Sequence, residues 1–362
     1  MVKTIEHEYE PDFVSPPGET LQDILDDIGM SQAELARRMG RPNKTINEII
    51  KAETAILPRT ALQLEKVLNI PASFWNNREK KYREYLAKKE EKKLLMQDVE
   101  WTRNFPINEM VKFGWIKRFI DKVTQFDEIL KFFGVANIKQ WGEIWNFEHI
   151  HFRKSSLNTE KFYLLSAWLR QGELLAREIG CSAYNQSLFL KNLYEIRHLT
   201  NEQPEKFITE IQNLCAQSGV AFVLVPELSR SGVWGATRWL SSTRALIQLS
   251  LRYKTNDHLW FTFFHEAGHI VKHGKKTPFI ESDNYTDELE KEADEFAKDI
   301  LIPEERYQKF INHGRLSGLR IRRFANEIGI HPGIVVGRLQ HDKLVPFRNF
   351  NKLKIKYTWR IT

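Results

Sequence analysis

The chain has 362 residues, 42% hydrophobic and 28% charged, enough for two or three domains with an ample core. No apolar run is long enough to span a bilayer, and the first residues lack a signal peptide's apolar stretch, which argues against membrane-embedded and secreted classes. Cys181 and Cys215 sit in apolar contexts and read as buried thiols of a reducing compartment, so a cytoplasmic protein is expected. The net charge of +7 is uneven: residues 315–362 hold eleven Lys/Arg and two acids, and everything before them sums to −2. Such a basic tail suits either an anionic partner such as nucleic acid or a solvated face.

Residues 1–15 are expected to be a flexible acidic arm, and Pro16-Pro17-Gly18 punctuates the start of structure. Short helices with strong stop signals follow. Leu21, Ile24, Leu25 and Ile28 make a first amphipathic helix that ends at Gly29. Ser31 with Glu34 is a capping box opening a second. Gly40 and Pro42 turn the chain, and Asn43 is expected to cap a third helix, residues 44–51, with Ile46, Ile49 and Ile50 inward. Pro58 and Thr60 open a fourth, with Leu62, Leu64, Val67 and Leu68 on its apolar side.

The second and third helices have helix-turn-helix spacing, with Gln32, Ala36, Gly40, Ile46 and Ile49 at the positions that want a polar start, a small contact, a turn glycine and two core residues. The outward residues of the third helix, Asn43, Lys44, Thr45, Asn47 and Glu48, form a face able to enter a major groove, with Arg41 beside it. Asn can read adenine, and Lys can read guanine or hold phosphate. Pro17-Gly18-Glu19-Thr20-Leu21, Ser31-Gln32-Ala33-Glu34-Leu35-Ala36 and Ile70-Pro71-Ala72-Ser73-Phe74-Trp75-Asn76 resemble the XRE-type helix-turn-helix, and within it the HigA-like antitoxin branch. The resemblance implies that residues 16–90 bind double-stranded operator DNA. Residues 1–75 carry twelve acids against eight bases, a net −4. Affinity rests largely on phosphate contacts, so help from a homodimer or from the basic tail is expected.

Residues 75–95 continue as a charged, solvated helix. Residues 91–210 are rich in aromatics at helical spacing, among them Phe105, Trp115, Phe119, Phe132, Phe133, Trp141, Trp145, Phe162 and Trp168. They carry no chemical motif and are expected to form a helical connector module. His149 and His151 have no acid or cysteine cluster nearby and read as structural.

From Gly219 the period changes, opening a region 211–362. Val220 to Val225 reads as a buried strand closed by Pro226. Gly232 and Gly235 read as loop. Ala245 to Leu251 alternates and leads into Phe261-Thr262-Phe263-Phe264-His265-Glu266-Ala267-Gly268-His269. Residues four apart share a helix face, so His265 and His269 can grip one ion with Glu266 beside them. Imidazole suits zinc, which leaves room for a third protein ligand and a water. Zinc lowers the pKa of water toward about 7, and Glu266 can take the proton as general base.

Downstream, Leu289, Ala293, Phe296, Ala297 and Ile300 form one apolar helical stripe. Glu290 lies about 60° from its centre and Glu292 about 100° away. Glu290 is the better placed third ligand, with Glu292 the alternative. Asp294, one turn beyond Glu290, is placed to hold a ligand imidazole by its second nitrogen. Glu292 and Glu295 read as ordinary surface acids.

His-Glu-Ala-Gly-His followed by Glu290-x-Glu292-Ala293-Asp294-x-Phe296-Ala297-x-x-Ile300-Leu301-Ile302-Pro303 resembles the ImmA/IrrE family of zinc metallopeptidases over residues 210–345. The resemblance implies a zincin-like domain, zinc held by His265, His269 and a glutamate of the second helix, and Glu266 as base. His273 fits the family's habit of a histidine one turn later and reads as a site-edge group. By the same resemblance Ala245 to Leu251 is expected to be the edge strand that binds substrate backbone. Tyr253, His258 and Tyr285 are loop candidates for polarising the scissile carbonyl. After Pro303, Ala325, Gly329 and Val335 repeat the helix-turn-helix spacing, but Arg338 stands at a core position and a structural role is expected.

The expected fold is mainly α with a small β-sheet, an α+β chain of helix-turn-helix bundle, helical middle region and metallopeptidase domain. The expected function is a DNA-binding regulator whose zinc-dependent endopeptidase cleaves a regulatory protein such as a repressor. The alternative is a non-enzymatic antitoxin or autorepressor, with a toxin partner, whose zinc domain senses or scaffolds.

Overall fold

The computed structural model describes residues 13–145, 159–274, 279–280 and 288–359. The chain divides into two compact units, Met1–Glu100 and Trp101–Thr362. Most of the expected N-terminal arm, the pair His149 and His151, and Tyr285 lie outside the described residues.

Among its described residues the first unit holds five α-helices: α1 (Pro17–Ile28), α2 (Gln32–Met39), α3 (Asn43–Ile50), α4 (Pro58–Leu68) and α5 (Ala72–Asp98). Leu21, Leu25, Leu35, Ala36, Ile46, Ile49, Leu64 and Trp75 meet in its core. Ser31 caps α2 by accepting the Glu34 N–H at 3.1 Å. The reciprocal half of the capping box does not form, because the Glu34 carboxylate turns instead to Arg37 and Arg38. Asn43 is not the cap of α3. It is the helix's first residue, and Pro42 precedes it in extended conformation with no side-chain cap bond.

Ile28 and Leu62, expected inward, are 50% and 54% exposed. On α4 the buried residues are Thr60, Ala61 and Leu64, and Leu62 lies about 200° from Leu64. The expected charged helix is longer than its charge run, because Ala72 and Trp75 anchor its first turns in the core and Glu79 accepts the Ile56 N–H at 3.0 Å.

The second unit begins with α6 (Ile107–Lys112), α7 (Lys122–Phe133), α8 (Ile138–Trp145), α9 (Thr159–Arg177), α10 (Gln186–His198) and α11 (Pro204–Gln217). Strands β1 (Val220–Leu224), β2 (Gly235–Ser241) and β3 (Arg244–Leu249) follow, then α12 (Asn256–His273), β4 (Phe279–Ile280), α13 (Glu288–Leu301), α14 (Glu304–Asn312), α15 (Gly318–Ile328) and α16 (Pro332–His341). The sheet order is β1-β3-β2-β4. β3 runs parallel to β1, and β2 is antiparallel to both β3 and β4.

β1 reads as a continuous apolar run because both its faces are covered. Val220 and Phe222 join one apolar cluster with Phe207, Ile247, Phe263, Phe264 and Val335. Ala221 and Val223 join a second with Phe133, Trp141, Trp168 and Leu246. The aromatic helices of residues 101–177 therefore share a core with the sheet. Gln248 is fully buried in β3, and its amide donates to the Trp168 carbonyl at 2.7 Å.

Two sequence expectations fail here. Ala245 to Leu251 is not an edge strand, since β3 is paired on both sides. Gly235, read as loop, opens strand β2. The glycine punctuation and the polar Thr237 and Arg238 hid β2's alternation. No described helix is long and apolar enough to cross a membrane. Cys181 and Cys215 are free thiols, the second fully buried, and burial pushes its thiol up.

Candidate functional site

α12 is buried along most of its length, from Asn256 to Ile270, so it cannot be placed by one apolar stripe alone. Its crossing with α13 is set by small residues. A Cβ added to Gly268 would lie 3.1 Å from the Phe296 ring and 3.2 Å from the Ala293 Cα. Gly268 and Ala293 thus let the two helices approach closely, and that approach carries the first turn of α13 to the imidazoles of α12. Gly268→Val should push α13 outward, lower the melting temperature and release metal. Circular dichroism melting with metal quantitation checks both, and a variant with unchanged metal content would show that the crossing is not what holds the site.

His265, His269 and Glu290 offer ligand atoms that all lie within 4.8 Å of one another. His265 Nε2 is 3.0 Å from His269 Nε2 and 3.0 Å from Glu290 Oε2, and His269 Nε2 is 3.5 Å from Glu290 Oε1. Behind them, His265 Nδ1 lies 2.9 Å from Asp294 Oδ1. A carboxylate only accepts, so His265 Nδ1 carries the proton and Nε2 keeps its lone pair. His273 Nε2 lies 3.1 Å from Glu292 Oε2 and donates by the same logic. With one proton on its ring, His273 accepts at Nδ1 from His269 Nδ1, 3.0 Å away. His269 Nε2 then also keeps its lone pair.

Two imidazole lone pairs and a carboxylate thus converge on one point. Three acceptors at this spacing repel one another unless a cation lies among them. Tetrahedral zinc, with bonds of about 2.0–2.2 Å, places its ligand atoms roughly 3.3 Å apart, close to the separations found. Burial pulls His269 down to about 4, which keeps it neutral near pH 7. Neutral imidazole and ionised carboxylate are the forms that bind a metal ion.

Glu266 is fully buried next to this cluster. β2 runs against it: a Cβ added to Gly235 would lie 2.5 Å from Glu266 Oε1, and Thr237 Oγ1 donates to the Glu266 carbonyl at 3.1 Å. Glu292, read as an ordinary surface acid, instead pairs with His273 and through it steadies His269. The one-turn spacing of His269 and His273 was the available signal for that relay. His258 lies in α12 rather than in a loop, and Tyr253 stacks on it at 4.3 Å.

In the first unit, Asn43 and Lys44 face solvent, the Lys44 side chain 85% exposed with Glu48 at 3.7 Å. Thr45 and Asn47 are half-buried, and Asn47 Nδ2 donates to Gln32 Oε1 at 3.4 Å, which places the start of α2 beside the middle of α3. Arg41 does not point outward freely, since its Nε donates to Gln63 Oε1 at 2.6 Å. The C-terminal copy of the spacing is built differently. Ile334, Val335, Val336 and Leu339 of α16 are buried, and α16 packs on α12. Arg338 is neutralised by Asp342 at 2.7 Å and Glu304 at 3.2 Å. The helix that would enter a groove is turned inward.

A buried H-E-x-x-H helix is thus crossed by an acidic helix, and the first unit has helix-turn-helix geometry. Residues 235–340 match the IrrE N-terminal-like domain of the M78 peptidase family, and residues 21–75 match the helix-turn-helix family. These two stretches are thus similar to an XRE-type helix-turn-helix and to an IrrE-type domain. Comparison with curated proteins found no match. Among solved structures, the chain is similar to an antidote protein of a plasmid maintenance system from Nostoc punctiforme, with 32% identity over 23% of this chain and 91% of that one and a TM-score of 0.23. It is also similar to an addiction module antidote protein of the HigA family from Coxiella burnetii, with 27% identity over 24% of this chain and 94% of that one and a TM-score of 0.22.

Proposed function

We propose that this protein is a cytoplasmic DNA-binding regulator carrying a zinc-dependent endopeptidase that cleaves a regulatory protein, such as a repressor. The observation that carries the reading is the convergence of two imidazole lone pairs and the Glu290 carboxylate beside a buried glutamate. His265, His269 and Glu290 would hold zinc. When bound, zinc supplies a Lewis acid that makes water acidic near neutral pH. Glu266 takes the proton and delivers it to the leaving amine. Asp294 and Glu292 keep the two imidazoles in the tautomers that present Nε2, the second acting through His273. In this reading residues 16–90 bind the operator as a homodimer, residues 91–210 connect, and residues 211–362 cleave.

The test is incubation of the purified protein with a lysate of its host, with and without a chelator. A host protein shortened only in the absence of chelator is the expected result. Zinc retained with no fragment from any host protein would instead support the antitoxin or autorepressor reading, with a toxin partner to be sought.

The DNA-binding half has its own test. Lys44→Ala with Asn47→Ala should abolish the shift of the protein's own promoter fragment while zinc content stays unchanged. Low salt is needed, because phosphate contacts weaken steeply with ionic strength. A wild-type protein that shifts no fragment at low salt would remove the reading.

A further inference from the structure

A cavity of about 520 Å³ opens beside the metal cluster, walled by Phe261, Leu301, Ile302, Ile334 and Phe347. Both helices of the cluster run into it. Phe261 precedes His265 by one turn of α12, and their rings lie 6.3 Å apart. Lys298 follows Asp294 by one turn of α13 and also lines the cavity. The volume falls in the range that accepts a large side chain with its adjoining backbone.

The polar wall is mostly matched within itself. Lys354 Nζ donates to Asp257 Oδ2 at 2.5 Å and to Gln340 Oε1 at 2.7 Å. Gln340 donates to the Phe347 and Asn349 carbonyls and to Asn351 Oδ1. Arg338 is held by Asp342 and Glu304. Two atoms stand apart, and one of them is Arg338 Nη1, which has no hydrogen-bond partner among the described residues. Asp257 is 6% exposed and lines the cavity, yet its Oδ1 meets no hydrogen-bond donor among the described residues. A buried acceptor of this kind is costly until a donor reaches it. α16 presses on the same residue: a Cβ on Gly337 would lie 2.6 Å from the Asp257 Cβ, so Asp257 has little room to turn away.

We infer that this cavity is a side-chain subsite of the peptide cleft, selecting an aromatic residue with a hydrogen-bond donor at its tip, tyrosine or tryptophan, which donates to Asp257 Oδ1. The inference rests on the peptidase reading. Asp257 lies eight residues before His265, about 12 Å along the helix. That is the reach of one peptide residue beside the scissile bond plus a tyrosine or tryptophan side chain. Such side chains bring a large apolar body and a polar tip, which matches an apolar cavity with a buried acceptor in its wall. A site built to hydrogen-bond a substrate O–H or N–H rejects the analogue that lacks it, because the buried acceptor is then left bare.

The probes are the N-acetyl amides of tyrosine, tryptophan, phenylalanine and glutamic acid, titrated by calorimetry against the full-length zinc-loaded protein. Tyrosine and tryptophan amides should bind at least tenfold more tightly than the phenylalanine amide. Asp257→Asn should remove that preference while keeping the affinity for phenylalanine. Phe347→Ala, at a wall residue that is 73% exposed and outside the packed core, should weaken all the aromatic amides together. Phenylalanine binding as tightly as tyrosine would overturn the inference, as would unchanged binding in Phe347→Ala. Tighter binding of the glutamate amide would also overturn it, since Lys298 and the unpartnered Arg338 Nη1 would then set the preference. Selective binding by a protein that cleaves nothing keeps the subsite and removes the peptidase reading. Cleavage with no aromatic preference does the reverse.

Discussion

Glu266→Gln is expected to keep its zinc and to lose peptide cleavage by at least about a hundredfold, the lower end of what a positioned general base contributes. The substitution preserves shape and volume, and shape matters here. Glu266 is fully buried, and the β2 backbone at Gly235 leaves no room for a larger group. Its main chain is tied to the same strand through Thr237. Glutamine fills the same space without a basic oxygen, and it leaves His265, His269 and Glu290 untouched. Cleavage and metal content should therefore separate. Metal would be measured by atomic emission, and cleavage on whichever host protein the wild type shortens. Equal cleavage by the two proteins would show that another group takes the proton. Loss of metal together with cleavage would show that Glu266 supports the ligand set rather than the chemistry.

Much of the architecture could be read from the sequence, for reasons of period. The apolar stripe Leu289, Ala293, Phe296, Ala297 and Ile300 sets the phase of α13, and that phase turns Glu290 toward the imidazoles. The helix-turn-helix core from Leu21 to Trp75 could be read because each short helix carries one apolar face and a clear stop. The sheet was harder. Strand order depends on pairings between segments far apart in the chain, and nothing within Ala245 to Leu249 says that β2 covers one side of it and β1 the other. The aromatic helices before residue 177 look self-sufficient as a sequence, yet Trp168 lies against Val223 and Leu246 of the sheet in one cluster. The Glu292–His273–His269 relay escaped because α12 is buried on nearly every side, so its periodicity does not say where His273 points. Asp257 escaped for a similar reason: an acid in a helix's first turn reads as a solvated charge until Lys354, 97 residues later, closes over it.

Glu290, Asp294 and Glu292 of α13 should separate by how directly each meets the metal ligands. Glu290→Ala removes a converging oxygen and should cost zinc affinity by more than the ten- to hundredfold typical of residues that only orient a ligand. Asp294→Ala should fall inside that range, because the His265 Nδ1 proton loses its acceptor at 2.9 Å and the ring is free to turn or change tautomer. Glu292 acts through His273 and is itself 50% exposed, so water can replace it. Glu292→Ala should cost less than about tenfold, below the range for groups that touch a ligand directly. Competition of each variant against a chelator of known affinity gives the order, with melting curves to confirm that the fold survives. His273→Ala should behave like Glu292→Ala or somewhat worse, since it removes both links of the relay. A ranking in which Glu292→Ala releases zinc and Glu290→Ala retains it would mean that the metal sits against the other side of α13. The convergence of Nε2 atoms on Glu290 would then be a hydrogen-bonded cluster and not a ligand set.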